Sequence, residues 1–427
     1  MTAANLQSSI DLRNIGEQIY SLIAELFPIC RSITGQGLRQ TLKIIGGYIP
    51  LEIHEVPTGT KVFDWTIPKE WNIRDAYVKN SKGQKIINFQ ESNLHVLNYS
   101  IPINNVVSLN ELKKHLFTMP DHPDWIPYKT SYYKENWGFC LRHNQFLSLE
   151  NGAYDAVIES TLTNGHLTYG ECFLPGELQD EVLISAHICH PSLANDNLSG
   201  VSTAVFLAKN LIERRRYSYR LLFIPGTIGA IAWLAQNKDK VSRIKHGLVL
   251  TGVGGPGEIT YKKSRRGTAE IDQIAQYVLR SLTRDHRVLE FSPYGYDERQ
   301  FCSPGFNLPV GRLSRTPHGE YPEYHTSADD LNFVRRDFLS ESFYVAAAIL
   351  EILENNGVYR NTNPLCEPQL GKRGLYDEIG PDELAVLWVL NYSDGGHSLL
   401  DIAEKSGIAF QSIQKAADIL KKCNLLT

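Results

Sequence analysis

The architecture of this chain follows from one segment, residues 185–200, which reads SAHICHPSLANDNLSG. The segment continues an apolar run, residues 181–186, that is typical of a buried strand. His187 is therefore predicted at the carboxyl end of a strand, where open α/β sheets bind ligands, and Asp196 at the start of the next helix. An imidazole and a carboxylate held in this way favour a zinc site. A buried polar histidine and an ordinary helix N-cap are the alternative.

Apolar strands alternate with helical segments on the carboxyl side of this stretch. Residues 219–225 and 246–251 are strand-like, and residues 228–236 and 271–282 have helical periodicity. Because such an alternation places helices on both faces of a sheet, the pattern predicts an α/β fold with a parallel-centred sheet.

Two further regions differ from this α/β pattern. Residues 61–151 contain four of the six tryptophans among prolines and short β-like runs, which favours an inserted, mostly-β domain. Near the carboxyl end, three short helical patterns at 381–390, 399–406 and 410–422 form a helix-turn-helix pattern. We therefore expect an α/β domain at 1–60 and 152–365, an insert at 61–151 and a small helical domain at 371–427.

Composition excludes several classes of protein. The 427 residues carry 43 Lys and Arg against 47 Asp and Glu, so the chain is not a generally basic nucleic-acid binder. No run approaches the roughly 20 apolar residues of a membrane span. Seven scattered cysteines without a CxxC pair, and a start unlike a secretory signal, predict a cytoplasmic location.

A second segment, residues 319–330, reads GEYPEYHTSADD and contains His325 among carboxylates and tyrosines. Loops that combine His, Glu and Tyr are more often functional than structural. Asp329 and Asp330 are interpreted as ordinary residues of a first helical turn.

These two segments resemble the zinc-exopeptidase superfamily, the co-catalytic zinc aminopeptidases of peptidase clan MH. The phrases CRSITGQGLRQTL, VPTGTKVFDWTIPKEWNI and DERQFCSPGFNLPVGRL extend the resemblance to the bacterial aminopeptidase-like family. The resemblance covers nearly the whole chain. It implies a three-layer α/β/α sandwich with an inserted mostly-β domain and a C-terminal winged helix.

The resemblance implies a zinc site with missing ligands. His187, Asp196 and His325 match metal ligands of the family, with Asp196 in the bridging position. Carboxylates expected elsewhere are replaced by Cys189, Gly226, Thr227 and Gly255. Two imidazoles and one carboxylate suit a single catalytic zinc with an open position better than two ions. His190 is a less favoured substitute ligand, because a proline follows it.

The general base is not obvious, because glycine stands at the position of the family's catalytic glutamate. The remaining candidates are loop acids, which could instead pair with Arg299, Arg312 or Arg315: Glu298, Asp297, Glu320 and Glu323. Of these acids, Glu323, Glu320 and Glu298 are favoured. Tyr321, Tyr324 and Arg31 are candidate substrate-binding residues, although Arg31 could equally form an ion pair. Aromatic residues of the insert could cap the pocket or belong to the core: Tyr132, Tyr133 and Trp137.

Two functions are compatible with this pattern. The first is a zinc-dependent aminopeptidase-like hydrolase, or acyl-transfer enzyme, that acts on a small aminoacyl or acylamino compound, in line with the surface-glycan biosynthesis of family members. The second is a catalytically weakened metal-binding protein whose winged helix has a binding or regulatory role. Because the last helix carries only Lys415, Lys421 and Lys422, protein contact or self-association is favoured over nucleic-acid binding.

Overall fold

The apolar run around Ile184 forms a central strand of an eight-stranded sheet. The computed structural model describes residues 12–211, 215–283, 285–374 and 383–427. Parts of the predicted domains, residues 1–11, 212–214, 284 and 375–382, lie outside the described residues. In the described ranges no helix is both long and apolar enough to cross a membrane.

The α-helices of the described ranges are numbered here in chain order. They are α1 (Leu12–Leu26), α2 (Gln36–Ile45), α3 (Leu109–Leu112), α4 (His143–Leu147), α5 (Gly200–Asn210), α6 (Ile228–Gln236), α7 (Glu270–Leu282), α8 (Glu298–Phe301), α9 (Arg336–Asn355), α10 (Glu383–Tyr392), α11 (Leu399–Ser406) and α12 (Phe410–Lys422).

The strands are numbered in the same way. They are β1 (Glu52–Pro57), β2 (Lys61–Val62), β3 (Trp65–Thr66), β4 (Glu70–Lys79), β5 (Lys85–Asn88), β6 (Ile103–Ser108), β7 (Leu116–Phe117), β8 (Phe139–Cys140), β9 (Ala153–Thr163), β10 (His166–Leu174), β11 (Glu181–His187), β12 (Ser218–Ile224), β13 (Ile244–Leu250), β14 (Ile259–Lys262), β15 (His286–Leu289), β16 (Val310–Arg315), β17 (Val358–Arg360) and β18 (Asp394–Ser398).

The large sheet has the order β1-β10-β12-β11-β13-β16-β14-β15. Its centre is parallel, with β11 between β12 and β13, and antiparallel pairs join β1, β10 and β14 to this centre. Every residue of β11 is buried, because alternate side chains pack on opposite faces. Val182 and Ile184 contact one core, and Leu183 contacts the other.

Helices cover one face of this sheet, and helices together with the insert cover the other. The first core packs α1, α2, α5, α7 and α9 against the sheet. The second core joins α6 and α8 to the opposite face and continues into the insert. The predicted three-layer α/β/α architecture is therefore confirmed.

The insert is built on an antiparallel sheet of order β5-β4-β9-β6. Its strand β9 pairs along most of its length with β4, from Glu70 opposite Thr163 to Lys79 opposite Asp155. The insert sheet thus includes residues 153–163, beyond the predicted boundary at 151. The predicted boundary precedes this strand because the strand pattern of β9 does not reveal which sheet it joins.

The last part of the chain folds as the predicted winged helix, with α10, α11 and α12 packed around a small core. Ser398 caps α11 by accepting the Asp401 amide, and Gly407 ends α11 at a φ of 69°. The wing strand β18 pairs with β17, so this unit begins before the predicted start at 371.

Candidate metal centre and adjoining pocket

A buried carboxylate lies between two of the predicted imidazoles. Asp196 Oδ1 is 2.9 Å from His187 Nε2, and Asp196 Oδ2 is 3.0 Å from His325 Nε2. Strand β11 ends at His187, an irregular turn before α5 carries Asp196, and the loop before α9 carries His325. The fold therefore brings together the three residues that the sequence predicted as ligands.

A third imidazole joins this group. His190 Nδ1 lies 3.2 Å from Asp196 Oδ2, and its ring centroid is 4.9 Å from those of both His187 and His325. Arg31 holds this loop by donating a hydrogen bond of 2.9 Å from Nε to the His190 carbonyl. His190, which the sequence favoured less as a substitute ligand, therefore lies beside the other three candidate residues.

The electrostatics of the cluster favour an ionised carboxylate. Burial alone would raise the pKa of Asp196, but His190 and His187 hold it well below its usual value. Burial lowers the pKa of His187 and of His325, which keeps both imidazoles neutral. Burial opposes protonation of His190, but Cys189 and Asp196 raise its pKa well above the usual value. Metal binding would displace that proton.

This donor set fits a zinc ion. The ligand atoms of His187, His190 and Asp196 all lie within 4.8 Å of one another. Imidazole nitrogens with one carboxylate are typical zinc ligands. A carboxylate does not fit at Gly255, because an added Cβ would stand 2.7 Å from the Phe333 ring and 3.0 Å from Asn195.

Asp329 supports the ligand loop from behind. Its Oδ1 accepts the Asn195 amide at 2.5 Å and its Oδ2 accepts the Asp196 amide at 2.9 Å. Burial raises the pKa of Asp329 to about 7. Its interpretation as a helix first-turn residue is wrong, because α9 begins only at Arg336. Asp330 also precedes that helix and caps a local turn by accepting the Phe333 amide.

Asp297 is the carboxylate that the sequence named but did not favour. It is 1% exposed, and among the described residues neither of its oxygens has a hydrogen-bond partner. Burial, together with the neighbouring charge of Glu298, raises its pKa to about 7. With the imidazoles it lines a cavity of about 170 Å³, whose walls also include Gly226, Tyr296, Arg299, His318 and Tyr324.

The three favoured acids lie outside this cavity wall. Glu298 is fully buried and accepts hydrogen bonds from Lys262 Nζ at 3.0 Å and Arg312 Nη1 at 3.4 Å. Glu320 is exposed and pairs with Arg287 at 2.5 Å. Glu323 is half-buried and does not line the cavity. Ion pairing and loop direction, which the sequence does not specify, separate these acids from the imidazoles.

Of the predicted substrate-binding residues, Tyr324 lies in the cavity wall, whereas Tyr321 and Arg31 do not. Tyr324 lines the cavity and stacks on His325 with ring centroids 3.9 Å apart. Tyr321 instead stacks on Phe333. Arg31 is fully buried, donates to main-chain carbonyls, and has its pKa lowered to about 10 by burial. Arg31 therefore supports the His190 loop from within the core.

The insert forms one wall of the site through a residue that the sequence missed. The Tyr128 amide donates to the His325 carbonyl at 2.7 Å, and its ring lies about 5 Å from those of His190 and His325. The Tyr132 hydroxyl lies 2.9 Å from that of Tyr128, and the Tyr132 ring packs edge-on against Tyr99. Tyr133 packs on Trp65, and Trp137 on His115, away from the cavity. No local pattern marks Tyr128 among the insert's many aromatics.

Solved zinc aminopeptidases share this architecture. BSAP, a zinc aminopeptidase from Bacillus subtilis, matches with a TM-score of 0.58 at 12% identity, over 78% of this chain and 94% of its own. A peptidase M28 precursor from Shewanella amazonensis matches with a TM-score of 0.55 at 12% identity, over 82% and 97%. In fold, the chain is a zinc-aminopeptidase-like protein that carries a winged helix.

The chain belongs to the family described as a domain of unknown function, DUF4910, whose profile matches residues 20–356. A winged helix-turn-helix profile matches residues 357–427. A Clostridium acetobutylicum protein named for polysaccharide biosynthesis and an aminopeptidase-like domain is 55% identical over 418 residues, 96% of each chain. A crystal structure of a C. acetobutylicum peptidase has a TM-score of 0.94 and 53% identity, over 99% of this chain and 98% of its own.

Proposed function

We propose that this protein is a zinc-dependent hydrolase that cleaves the amide bond of a small acylamino compound. One observation carries the proposal: an unpartnered buried carboxylate, Asp297, lines the same cavity as the imidazoles gathered around Asp196. A buried carboxylate with a raised pKa beside a metal cluster suits a general base.

One zinc ion, held by His187, His190, Asp196 and His325, would polarise the amide carbonyl and lower the pKa of the attacking water. We favour one ion over two, because Gly226, Thr227 and Gly255 supply no carboxylate for a second ion.

Asp297 performs the proton transfers in this proposal. It accepts a proton from water as the water oxygen bonds to the carbonyl carbon, and it returns that proton to the nitrogen as the C–N bond breaks. The products are a carboxylic acid and an amine. Tyr324 and Tyr296 flank the reacting group. In this proposal Asp297 takes the place of the glutamate missing at Gly226. The alternative of a weakened enzyme then rests on the carboxylate missing at Gly255.

The name of the C. acetobutylicum relative supports a substrate from polysaccharide biosynthesis. An N-acylated sugar or amino-acid building block of a surface glycan is a small polar molecule that contains an amide bond. Such a compound is the substrate class that we propose.

The test is hydrolysis of N-acetylated probes by zinc-reconstituted protein and by Asp297→Asn. The variant should lose about 10²–10⁴-fold in kcat while it keeps its zinc. Asp337→Asn, at an exposed acid, is the matched control and should behave as the unmodified protein. Unchanged turnover in Asp297→Asn would reject Asp297 as the base, and an inactive zinc-loaded protein would reject the hydrolase.

A further inference from the structure

Arg299 has an unusual position in the wall of the cavity. Its guanidinium Nε is buried, and within the described ranges it has no hydrogen-bond partner and its side chain no ion pair. Neighbouring arginines are paired: Arg312 with Glu298 at 3.4 Å and Arg315 with Glu341 at 2.8 Å. Arg299 acts on the nearby Asp297 carboxyl through its charge, but it forms no ion pair with an acid among the described residues.

Arg299 is partly buried, and its Nε, which is removed from water without a partner, carries a desolvation cost. That cost is offset when an anion enters, because the planar guanidinium binds a carboxylate through two parallel hydrogen bonds. An unpaired arginine in a cavity wall is thus a preformed site for an anionic group.

The cavity is poorly suited to a free ammonium group. Apart from the metal cluster, Asp297 is the acid among its lining residues, and it is already engaged as the proposed base. The neighbouring Glu298 is neutralised by Lys262 and Arg312. A substrate with a free amino terminus would compete for Asp297, whereas a substrate with a carboxylate would pair with Arg299.

The size and lining of the cavity restrict the substrate further. A volume of about 170 Å³ is below the roughly 300–1,000 Å³ of ordinary ligand pockets, which favours a small group. His318 contributes a buried Nδ1 without a partner among the described residues, and aromatic rings surround it. The charge of Asp297 disfavours a doubly charged phosphate, so a singly charged carboxylate matches best.

We propose that the cavity selects small N-acyl compounds that carry a carboxylate, and that Arg299 binds this carboxylate. The inference rests on the hydrolase function proposed above and defines its substrate class as N-acylated acids. This substrate class distinguishes the site from one that binds the free amino terminus of a peptide.

The kinetic test compares N-acetyl-L-alanine with N-acetyl-L-alaninamide, which differ only in the negative charge. The zinc-loaded protein should prefer the acid. Arg299→Gln should lower kcat/KM for the acid by about 10–100-fold, mainly through KM, and leave the amide within about threefold. Arg299→Lys should retain part of the preference. Arg74→Gln, at an exposed insert residue, is the matched control.

Calorimetric binding of the same two probes to metal-free protein separates this inference from the proposed function. Binding of the acid that Arg299→Gln weakens, with hydrolysis of neither probe, would support the carboxylate site and reject the hydrolase. Hydrolysis of both probes at equal rates, insensitive to Arg299→Gln, would support the hydrolase and overturn the carboxylate site. Failure of the acid to bind would also overturn it.

Discussion

Asp297 Oδ2 lies 3.5 Å from the point where a Cβ on Gly226 would stand. Gly226 follows β12, and Asp297 immediately precedes α8, so two separate segments adjoin beside the side chains gathered around Asp196. The same Cβ would lie 3.1 Å from His187 Cβ. A side chain at position 226 would therefore stand in contact with the carboxylate of Asp297.

The two positions should behave as a coupled pair. Gly226→Glu alone should lower activity, because it crowds His187 and sets a second negative charge beside Asp297. Asp297→Gly should lose about 10²–10⁴-fold in kcat. The double variant should recover part of that loss, and a double-mutant cycle on kcat/KM measures the recovery. Strictly additive effects would contradict the predicted contact between positions 226 and 297.

Zinc content tests the ligand set. Elemental analysis should find about one zinc per chain. His190→Ala and His325→Ala should each weaken zinc affinity by at least about tenfold, since both remove an imidazole from the cluster. His166→Ala, at a surface histidine far along the sheet, is the control. Two tightly held ions, or normal affinity in His190→Ala, would contradict this set.

Asp329 should support the metal without touching it. In Asp329→Asn, an amide replaces an oxygen that accepts the Asn195 or Asp196 amide, so the ligand loop loses a main-chain anchor. Zinc affinity should fall by about 10–100-fold. Asp330→Asn, which alters only a local turn, should leave the affinity near normal. Equal affinities in the two variants would argue against this role.

The junction between the α/β domain and the insert should be sensitive to acid. Arg39 on α2 donates two hydrogen bonds of 2.8 Å to Glu70 on β4, and they lower the pKa of Glu70 to about 2. Because this value is below that of the unfolded chain, the pair stabilises the fold above about pH 4.5 and is lost towards pH 2.

Denaturation midpoints measured between pH 7 and pH 2.5 check this dependence. Arg39→Gln should be less stable than the unmodified protein at pH 7. Its denaturation midpoint should also fall less on acidification than that of the unmodified protein. Lys69→Gln, at an exposed pair with Glu135, is the control and should follow the unmodified protein. Parallel curves for Arg39→Gln and the unmodified protein would contradict the prediction.

The winged helix should not bind DNA tightly. The first turn of α12, where helix-turn-helix proteins contact bases, packs on α7, and the Phe410 amide donates to the Tyr277 hydroxyl at 2.9 Å. Fluorescence anisotropy should detect at most non-specific affinity, weaker than about 10⁻⁶ M at physiological salt. Tighter, salt-dependent binding to a defined sequence would contradict this prediction.

Local pattern predicted the fold class and the first two candidate ligands of the site. His187 and Asp196 are nine residues apart, so a strand end and the turn after it suffice to bring them together. The apolar run of β11 likewise reveals a strand buried on both faces. These features depend on neighbouring residues in the chain. The family resemblance of the motifs predicted His325 as a further candidate ligand and the winged helix.

The proposed base, the third imidazole and the extent of the insert sheet depended on tertiary structure. Asp297, Glu298, Glu320 and Glu323 are all loop acids in the sequence, and only ion pairing and burial in the folded protein distinguish them. Tyr128 reaches His325 across nearly 200 positions through one main-chain hydrogen bond. Whether an acid is paired, or a strand joins one sheet or another, is decided by contacts between distant segments, because the free energy of a buried charge depends on its partners in space.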